Sequence, residues 1–333
     1  LQGLEQMAAK EIQDVSGVKV RKIQGGARGD WFEGIFKFLS SFTLVHSAYL
    51  VVPIAGKRPS ALLGDQNLKT ILHAIQSVLK KGSFRAHSFR ISAAGDQSSV
   101  MRRIAAAIAE GTGLREESES GELKLRIRKD EKREQWEVLV RLTPLPLATR
   151  HWRKANYRGA LNANIASAMV HLAKVASDDV VVDPFCGSGT LLLEAIQRSS
   201  LTAVGVDTSP EALSCASVNM SHIPKAKGAV CFVLGDVRHL PVSTASASVV
   251  LTNPPWGESV GKKKDLANLY QLALDECVRV ATPSARILIC TQEQKACHAA
   301  IEILSKQNQI QLLKSFQVFT GSFHPWIFQL VRR

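Results

Sequence analysis

Val180-Val-Val-Asp-Pro-Phe-Cys-Gly-Ser-Gly-Thr-Leu-Leu-Leu-Glu194 is the stretch from which the architecture of this chain is read. It opens on β-branched apolar residues, sets an acid at the end of that run, turns through Gly-x-Gly and continues as a helix former. That order describes a buried parallel strand entering a glycine-rich loop and a helix N-terminus, where a ligand can approach the backbone closely. A second segment, Val249-Val-Leu-Thr-Asn-Pro-Pro-Trp256, ends another apolar run on Asn253 and two prolines, a stiff bend carrying an aromatic ring.

Working downstream, strands and helices alternate, the pattern of a doubly wound parallel sheet. Strands are predicted near 180–184, 202–207, 230–234, 247–252 and 286–291, with helices near 190–198, 210–220, 265–281 and 293–307. Two closing strands, 314–319 and 326–332, flank the turn Gly321-Ser-Phe-His-Pro325. The fold class is therefore α/β and Rossmann-like, with α+β material before it. Together the two loops resemble the cofactor loop and catalytic loop of class I S-adenosylmethionine methyltransferases that act on nucleobase nitrogens. That resemblance implies a seven-stranded sheet whose last strand runs antiparallel.

Upstream, Thr143–Gly159 breaks the pattern with prolines and interleaves Arg150, Arg153, Lys154 and Arg158 with Trp152 and Tyr157. Cations among aromatics suit backbone contact and base stacking, and equally a solvated linker. A capped helix follows over 161–173. Before it, helices over 68–79 and 98–108 and strands over 88–92, 124–128 and 136–142 form a second α+β unit, with a charged hairpin turn at 129–134. Residues 1–60 show a helical period at Leu4, Met7, Ala8 and Ile12. An alternating strand is expected over Trp31–Phe38, a helix over 41–50 and a strand over 50–53.

The chain has 333 residues, enough for two or three domains. No apolar run approaches the roughly 18 residues of a membrane span. No signal peptide is evident, and the sequence opens inside an amphipathic run, so a trimmed N-terminus is expected. Six cysteines without a Cys-x-x-Cys pair read as reduced core residues of an intracellular protein. Residues 1–160 carry 27 Lys and Arg against 16 Asp and Glu, a net +11, while the remainder has 15 against 13, a net +2. Charge concentrated in the front half points to a polyanion partner there.

Gly-x-Gly alone is shared with dinucleotide sites, but Leu192 stands where Gly-x-Gly-x-x-Gly would place its third glycine. Under the methyltransferase reading, Asp183 takes the cofactor's ammonium, and Phe185, Cys186, Gly187, Ser188, Gly189 and Thr190 form the loop around it. Asp207 holds the ribose hydroxyls, Asp236 accepts the adenine amino group with Val237 against the ring, and Asn253 borders the same pocket. A turn or helix-cap role for Asp236 stays open. Asn253 Oδ1 and the Pro254 carbonyl are each expected to accept one hydrogen of a base amino group, aiming its lone pair at the methyl carbon. Trp256 is expected to stack the displaced base. Arg150, Trp152, Arg153, Lys154, Tyr157 and Arg158, with Lys262 and Lys263 of the basic 257–264 loop, are the candidate RNA contacts.

With these motifs placed, the chain resembles the THUMP-domain RNA guanosine N2-methyltransferases, nearest the archaeal and bacterial tRNA branch. The resemblance is weak over 1–150 and strong over 157–205 and 247–282, where Asn253-Pro-Pro-Trp-Gly257, Gly261-Lys-Lys263 and Leu269-Tyr270 carry it. Trp256 stands where many relatives have Tyr or Phe. The resemblance implies a ferredoxin-like α+β domain over 1–62, a THUMP domain over 63–150, and a linker helix and catalytic domain over 151–333. It implies S-adenosyl-L-methionine, no metal, no membrane, a cytoplasmic setting and tRNA as partner. The acceptor would be guanine N2 in the acceptor stem, position 6 in the family, with a small activating subunit in eukaryotes. Large-subunit ribosomal RNA and DNA amino-methyltransferases are the alternatives. The short gaps at 208–246 and 257–265 leave no room for the sequence-reading insert usual in the DNA enzymes. A catalytically dead scaffold is a third alternative, against which Asp183, Asp207 and Asn253 speak.

Overall fold

A computed structural model of the chain describes residues 1–82, 84–257, 263–321 and 323–333, with side chains at all of these except 33 and 263–265. The backbone forms two compact units. One comprises Leu1–Glu11, Val20–Arg28 and Ala148–Arg333; the other comprises Ile12–Lys19 and Gly29–Leu147.

The chain begins with α1 (Glu5–Ser16) and a two-stranded ribbon of β1 (Val20–Ile23) and β2 (Gly26–Gly29). The strand expected over 31–38 is instead two short 3-10 helices, Glu33–Lys37 and Leu39–Ser41. Phe36, Leu39 and Phe42 recur every third residue and all serve one core, a spacing the 3-10 helix satisfies. The helix expected over 41–50 does not form, and the chain passes through bends into β3 (Tyr49–Ala55).

The second unit continues with α2 (Asp65–Lys81), β4 (Ser88–Ala93), α3 (Ser99–Thr112), β5 (Arg115–Glu116), β6 (Leu123–Asp130) and β7 (Gln135–Arg141). Its five-stranded sheet has the order β3-β7-β6-β4-β5. Ile71, Ile75 and Val78 of α2 and Met101, Ile104 and Ile108 of α3 share a core with Phe89, Leu123, Leu125 and Ile127. The Ser98 hydroxyl caps α3 by accepting the Met101 N–H, and Gly113 ends the helix in the left-handed region. β3 pairs with β7 across the sheet, from Tyr49↔Arg141 to Ala55↔Gln135.

The other unit is doubly wound. It contains α4 (Ala163–Leu172), β8 (Val180–Asp183), α5 (Thr190–Arg198), β9 (Thr202–Asp207), α6 (Pro210–Ser221), β10 (Ala229–Leu234) and β11 (Ala247–Thr252). Then follow α7 (Lys263–Val280), β12 (Ala281–Thr291), α8 (Gln294–Lys306), β13 (Ile310–Gln317) and β14 (Trp326–Arg332). The seven strands lie in the order β10-β9-β8-β11-β12-β14-β13. β8 to β12 are parallel to their neighbours, while β14 inserts antiparallel to both β12 and β13. The near-continuous apolar runs of β8, β11 and β12 follow from burial on both sheet faces. After β8 the chain winds outward through β9 and β10, then returns to the other side of β8 as β11. The loops after β8 and β11 therefore flank the topological switch point, where open α/β sheets bind ligands.

Candidate active site at the sheet's switch point

Asp183 ends β8 and is almost wholly buried. Burial pushes its carboxyl up to about 8; the Asp207 charge adds to this, and the Phe185 N–H, donated at 3.1 Å, opposes it. A cationic group brought beside this carboxyl would offset the cost of keeping it charged. The loop after it turns through Gly187 (φ 51°) and Gly189 (φ 80°). A side chain at Gly189 would sit 3.1 Å from the Phe232 ring and 3.3 Å from Ala216, so the backbone there is held in a close cradle. Cys186 is buried and donates its N–H to the Val206 carbonyl, tying the loop to β9. Phe185 is half-buried against the core. The Ser188 hydroxyl is buried with no protein partner among the described residues.

Asp207 ends β9. One carboxylate oxygen accepts the Gly187 N–H at 2.8 Å and the other accepts the Ser209 N–H at 2.9 Å. Each oxygen keeps a lone pair, so the carboxylate is oriented by the loop and still able to accept from a ligand diol. Asp236 caps the single helical turn 237–239 through the Arg238 N–H and forks onto the Arg238 guanidinium. These contacts hold its carboxyl below the usual range. The cap role left open by the sequence is the one the structure displays. Val237 is a member of the hydrophobic core, so the expected ring contact would come from a side chain already buried in that cluster.

Asn253 follows β11. Its Oδ1 is buried and unpartnered among the described residues, an uncompensated acceptor at the rim of the sheet. The bend Asn253–Gly257 is braced from behind by residues whose roles the sequence does not announce. The Glu293 N–H donates to the Thr291 hydroxyl at 2.9 Å, and Thr291 and the buried Tyr270 hydroxyl lie 2.6 Å apart. Tyr270 in turn donates to the Pro255 carbonyl at 3.2 Å, and the Glu293 carboxylate accepts the Gly257 N–H at 3.0 Å. The one signal of this brace is a tyrosine at a core position of an amphipathic helix, whose hydroxyl must find a partner when buried. Pro254 is buried, and Trp256 is half-buried with its Nε1 unpartnered among the described residues.

The basic segment before α4 is largely committed inward. Trp152 is completely buried, so it anchors the segment in the core and offers no face to a base. Arg150 forks onto Glu194 of α5. Arg153 donates to the Thr190 hydroxyl at 2.8 Å and to the Leu161 carbonyl at 2.9 Å. These three placements share a cause: the segment is a strap fastened to the helix that follows the glycine loop. Asn219 of α6 completes it. Its Oδ1 accepts the Lys154 and Ala155 N–H groups, and its Nδ2 donates to the carbonyls of Ala155 and Ser188. Lys154 and Arg158 stay exposed, and Tyr157 is half-buried beside Gly187. Lys262 lies outside the described residues, as does the side chain of Lys263.

Cys186, Cys277, Cys290 and Cys297 are buried, whereas Cys215 is half-buried and Cys231 exposed, so two of the six are not core residues. Burial pushes the Cys277 and Cys290 thiols up to about 12. Among the described residues no helix is long and apolar enough to cross a membrane.

A seven-stranded sheet of this order, with an acid-glycine loop after β8 and Asn-Pro-Pro-Trp after β11, defines the class I methyltransferase architecture. The chain belongs to the family of the RMKL-like methyltransferase domain (UPF0020), which it matches over residues 150–325. It is 25% identical over 224 residues to a tRNA (guanine(6)-N2)-methyltransferase of Methanocaldococcus jannaschii, covering 56% of this chain and 58% of that protein. It is 30% identical over 167 residues to the Thermus thermophilus protein of the same name, covering 50% of each. With the human tRNA (guanine(6)-N(2))-methyltransferase THUMP3 it shares 31% identity over 179 residues, 50% of this chain and 35% of that one. The chain thus spans about half the length of the relatives it matches, or less. Among solved structures, TrmN from Thermus thermophilus superposes with a TM-score of 0.79 at 23% identity, covering 99% of this chain and 97% of that one. A putative methyltransferase, SMU.472, complexed with SAH superposes with a TM-score of 0.65 at 15% identity, covering 98% and 95%. Both likenesses concern the fold.

Proposed function

We propose that this chain transfers a methyl group from S-adenosyl-L-methionine to the exocyclic N2 of a guanosine in tRNA. The observation that carries the reading is the buried, unpartnered Asn253 Oδ1 at the switch point, beside the loop that begins at Asp183. The residues present fit the cofactor: a sheltered carboxylate for an ammonium, a glycine cradle, the unpartnered Ser188 hydroxyl, and an Asp207 carboxylate with acceptor capacity to spare. When bound, the cofactor supplies an electrophilic methyl group on a sulfonium. Asp183 would hold the ammonium and Asp207 the ribose hydroxyls, with Asp236 beside the adenine.

A base amino nitrogen is a poor nucleophile because its lone pair is delocalised into the ring. Asn253 Oδ1 and the Pro254 carbonyl would each accept one of its hydrogens and orient the lone pair toward the methyl group. After transfer the nitrogen bears one proton too many, and that proton passes to water. The Tyr270–Pro255 and Glu293–Gly257 bonds keep these acceptors in place as charge develops.

The relatives named for guanine(6) of tRNA favour that acceptor over ribosomal RNA or DNA, and position 6 of the acceptor stem is the site we favour. Residues 63–150 acting as a THUMP module, a ferredoxin-like contribution from residues 1–62, RNA contacts by Lys154, Tyr157, Arg158, Lys262 and Lys263, a cytoplasmic location and a small activating subunit in a eukaryote belong to the same proposal. Incubating the protein with methyl-labelled cofactor and separated tRNA, ribosomal RNA and DNA tests it. Label should enter tRNA and be recovered as N2-methylguanosine. Label in DNA or ribosomal RNA alone would overturn it.

A further inference from the structure

The turn joining β13 to β14 presents one large aromatic side chain to solvent from a rigid frame. Val318 donates its N–H to the Pro325 carbonyl at 2.9 Å, and Thr320 and Phe323 exchange backbone hydrogen bonds of 2.8 and 3.1 Å. The Gln317 side-chain amide donates to the His324 carbonyl at 2.9 Å, and the Phe319 and His324 rings lie 4.7 Å apart. Held by this frame, Phe323 is 47% exposed, yet its ring centroid lies 5.7 Å from that of Trp256, at an interplanar angle of 54°. An exposed phenylalanine on a loose loop needs no explanation. One held by the Val318–Pro325 and Thr320–Phe323 bonds against the candidate catalytic bend does.

The geometry separates two ways in which the pair could grip a base. Sandwiching a base between two rings needs parallel planes about 7 Å apart, twice the optimal carbon–carbon contact. Trp256 and Phe323 are too close and too steeply tilted for that, so they form a corner with Trp256 as its half-buried inner wall. The outer wall, and the more exposed aromatic face, is Phe323.

We propose that Phe323 is a base-binding residue: it supplies the stacking face for the purine whose amino group reaches Asn253, and Trp256 buttresses it. This rests on reading the Asn253 bend as the acceptor site. The ligand class is a purine nucleotide displaced from its helix, since any base offers a π-face and stacking is tolerant of sequence.

The test uses the full chain and the tRNA transcript that accepts label, rebuilt with 2-aminopurine in place of the methylated guanosine. This probe keeps the 2-amino group and fluoresces when unstacked. Wild-type protein should bind the transcript and leave the probe quenched. Phe323→Leu should leave it several-fold brighter in the complex, weaken half-saturation by the RNA roughly 5- to 150-fold, and keep wild-type cofactor affinity. Phe323→Tyr should behave as wild type, which separates loss of the aromatic face from damage to the turn. Equal emission from wild type and Phe323→Leu, with Trp256→Leu alone relieving the quench, would overturn the assignment and leave the acceptor-site reading intact. A wild-type single-turnover methylation rate in Asn253→Ala would sink both.

Discussion

The Arg150 guanidinium donates to both carboxylate oxygens of Glu194, at 2.7 and 3.2 Å, with only 11% and 5% of the two side chains exposed. The pair joins the segment before α4 to the helix that follows the glycine loop. Burial pushes the Glu194 carboxyl up, and the nearby Arg150 charge pulls it back. Arg150→Ala would leave a buried carboxylate without its cation and should cost about 3–5 kcal/mol of stability at neutral pH, measured by urea unfolding. A raised native acid penalises the folded state as pH rises through the gap between its unfolded and folded values, and removing Arg150 widens that gap. The deficit should therefore shrink on acidification. A deficit independent of pH would mean the ion pair is not its source.

Asp207→Ala should weaken cofactor binding by about 1.5–3 kcal/mol in calorimetry, the worth of an acceptor lost from a paired diol. Some of the loss would come from the loop, because the Gly187 N–H also gives up its partner. Asp207→Asn keeps one acceptor oxygen and should fall between. Unchanged affinity in the alanine variant would refute the ribose assignment.

Asp183 gives a pH signature of defined sign. Its native carboxyl is raised to about 8, chiefly by burial, so the ligand-free protein should lose stability as pH climbs from about 4 toward 8. Asp183→Asn should remove that slope. If the cofactor's ammonium meets a charged Asp183, binding near pH 7 must expel a proton. Calorimetry in buffers of different ionisation enthalpy should show close to one proton released for wild type and none for Asp183→Asn.

Asn253→Ala should abolish methyl transfer while cofactor and tRNA affinity stay near wild type. The contact strengthens as the amino nitrogen rehybridises, so the loss belongs in the single-turnover rate rather than in binding. Asn253→Asp keeps an acceptor oxygen and should retain measurable turnover. A wild-type single-turnover rate in the alanine variant would defeat the mechanism.

Lys154 and Arg158 remain exposed on the strap, whereas Arg150 and Arg153 are occupied within the protein. Lys154→Ala and Arg158→Ala should each weaken RNA binding and lower the salt slope of log K by about 1, with little change in stability. An unaltered salt slope in both would remove the strap from the RNA surface.

How far the sequence can be read follows from where each signal lies. The strands at 202–207, 247–252 and 326–332 have the predicted bounds, because continuous apolar runs between turn residues leave few alternatives. Asp183, Asp207 and Asn253 stand at the ends of β8, β9 and β11, as strand-end polar residues should. The strap is illegible in sequence because a cation's partner is not written beside it: Glu194 lies 44 residues from Arg150, and Thr190 lies 37 from Arg153. Trp152 carries an aromatic's ambiguity, equally suited to a core or a stack. The Trp31–Phe38 run misleads because its spacing fits both an alternating strand and a three-residue helical repeat. The partnership of β3 with β7 is a long-range pairing that no local pattern encodes.

Gln2 and Gly3 close onto residues 317–319. Phe319 donates its N–H to the Gln2 carbonyl at 3.0 Å, and a side chain at Gly3 would collide with the Gln317 carbonyl. During synthesis Gln2 and Gly3 must therefore stay unpaired until the β13–β14 hairpin, some 315 residues later, has emerged. At about 5–20 residues per second that wait is roughly 15–60 s. The five-stranded unit can fold in the meantime, since all of its segments lie within the first 147 residues. The catalytic unit cannot be completed in the order in which it is made.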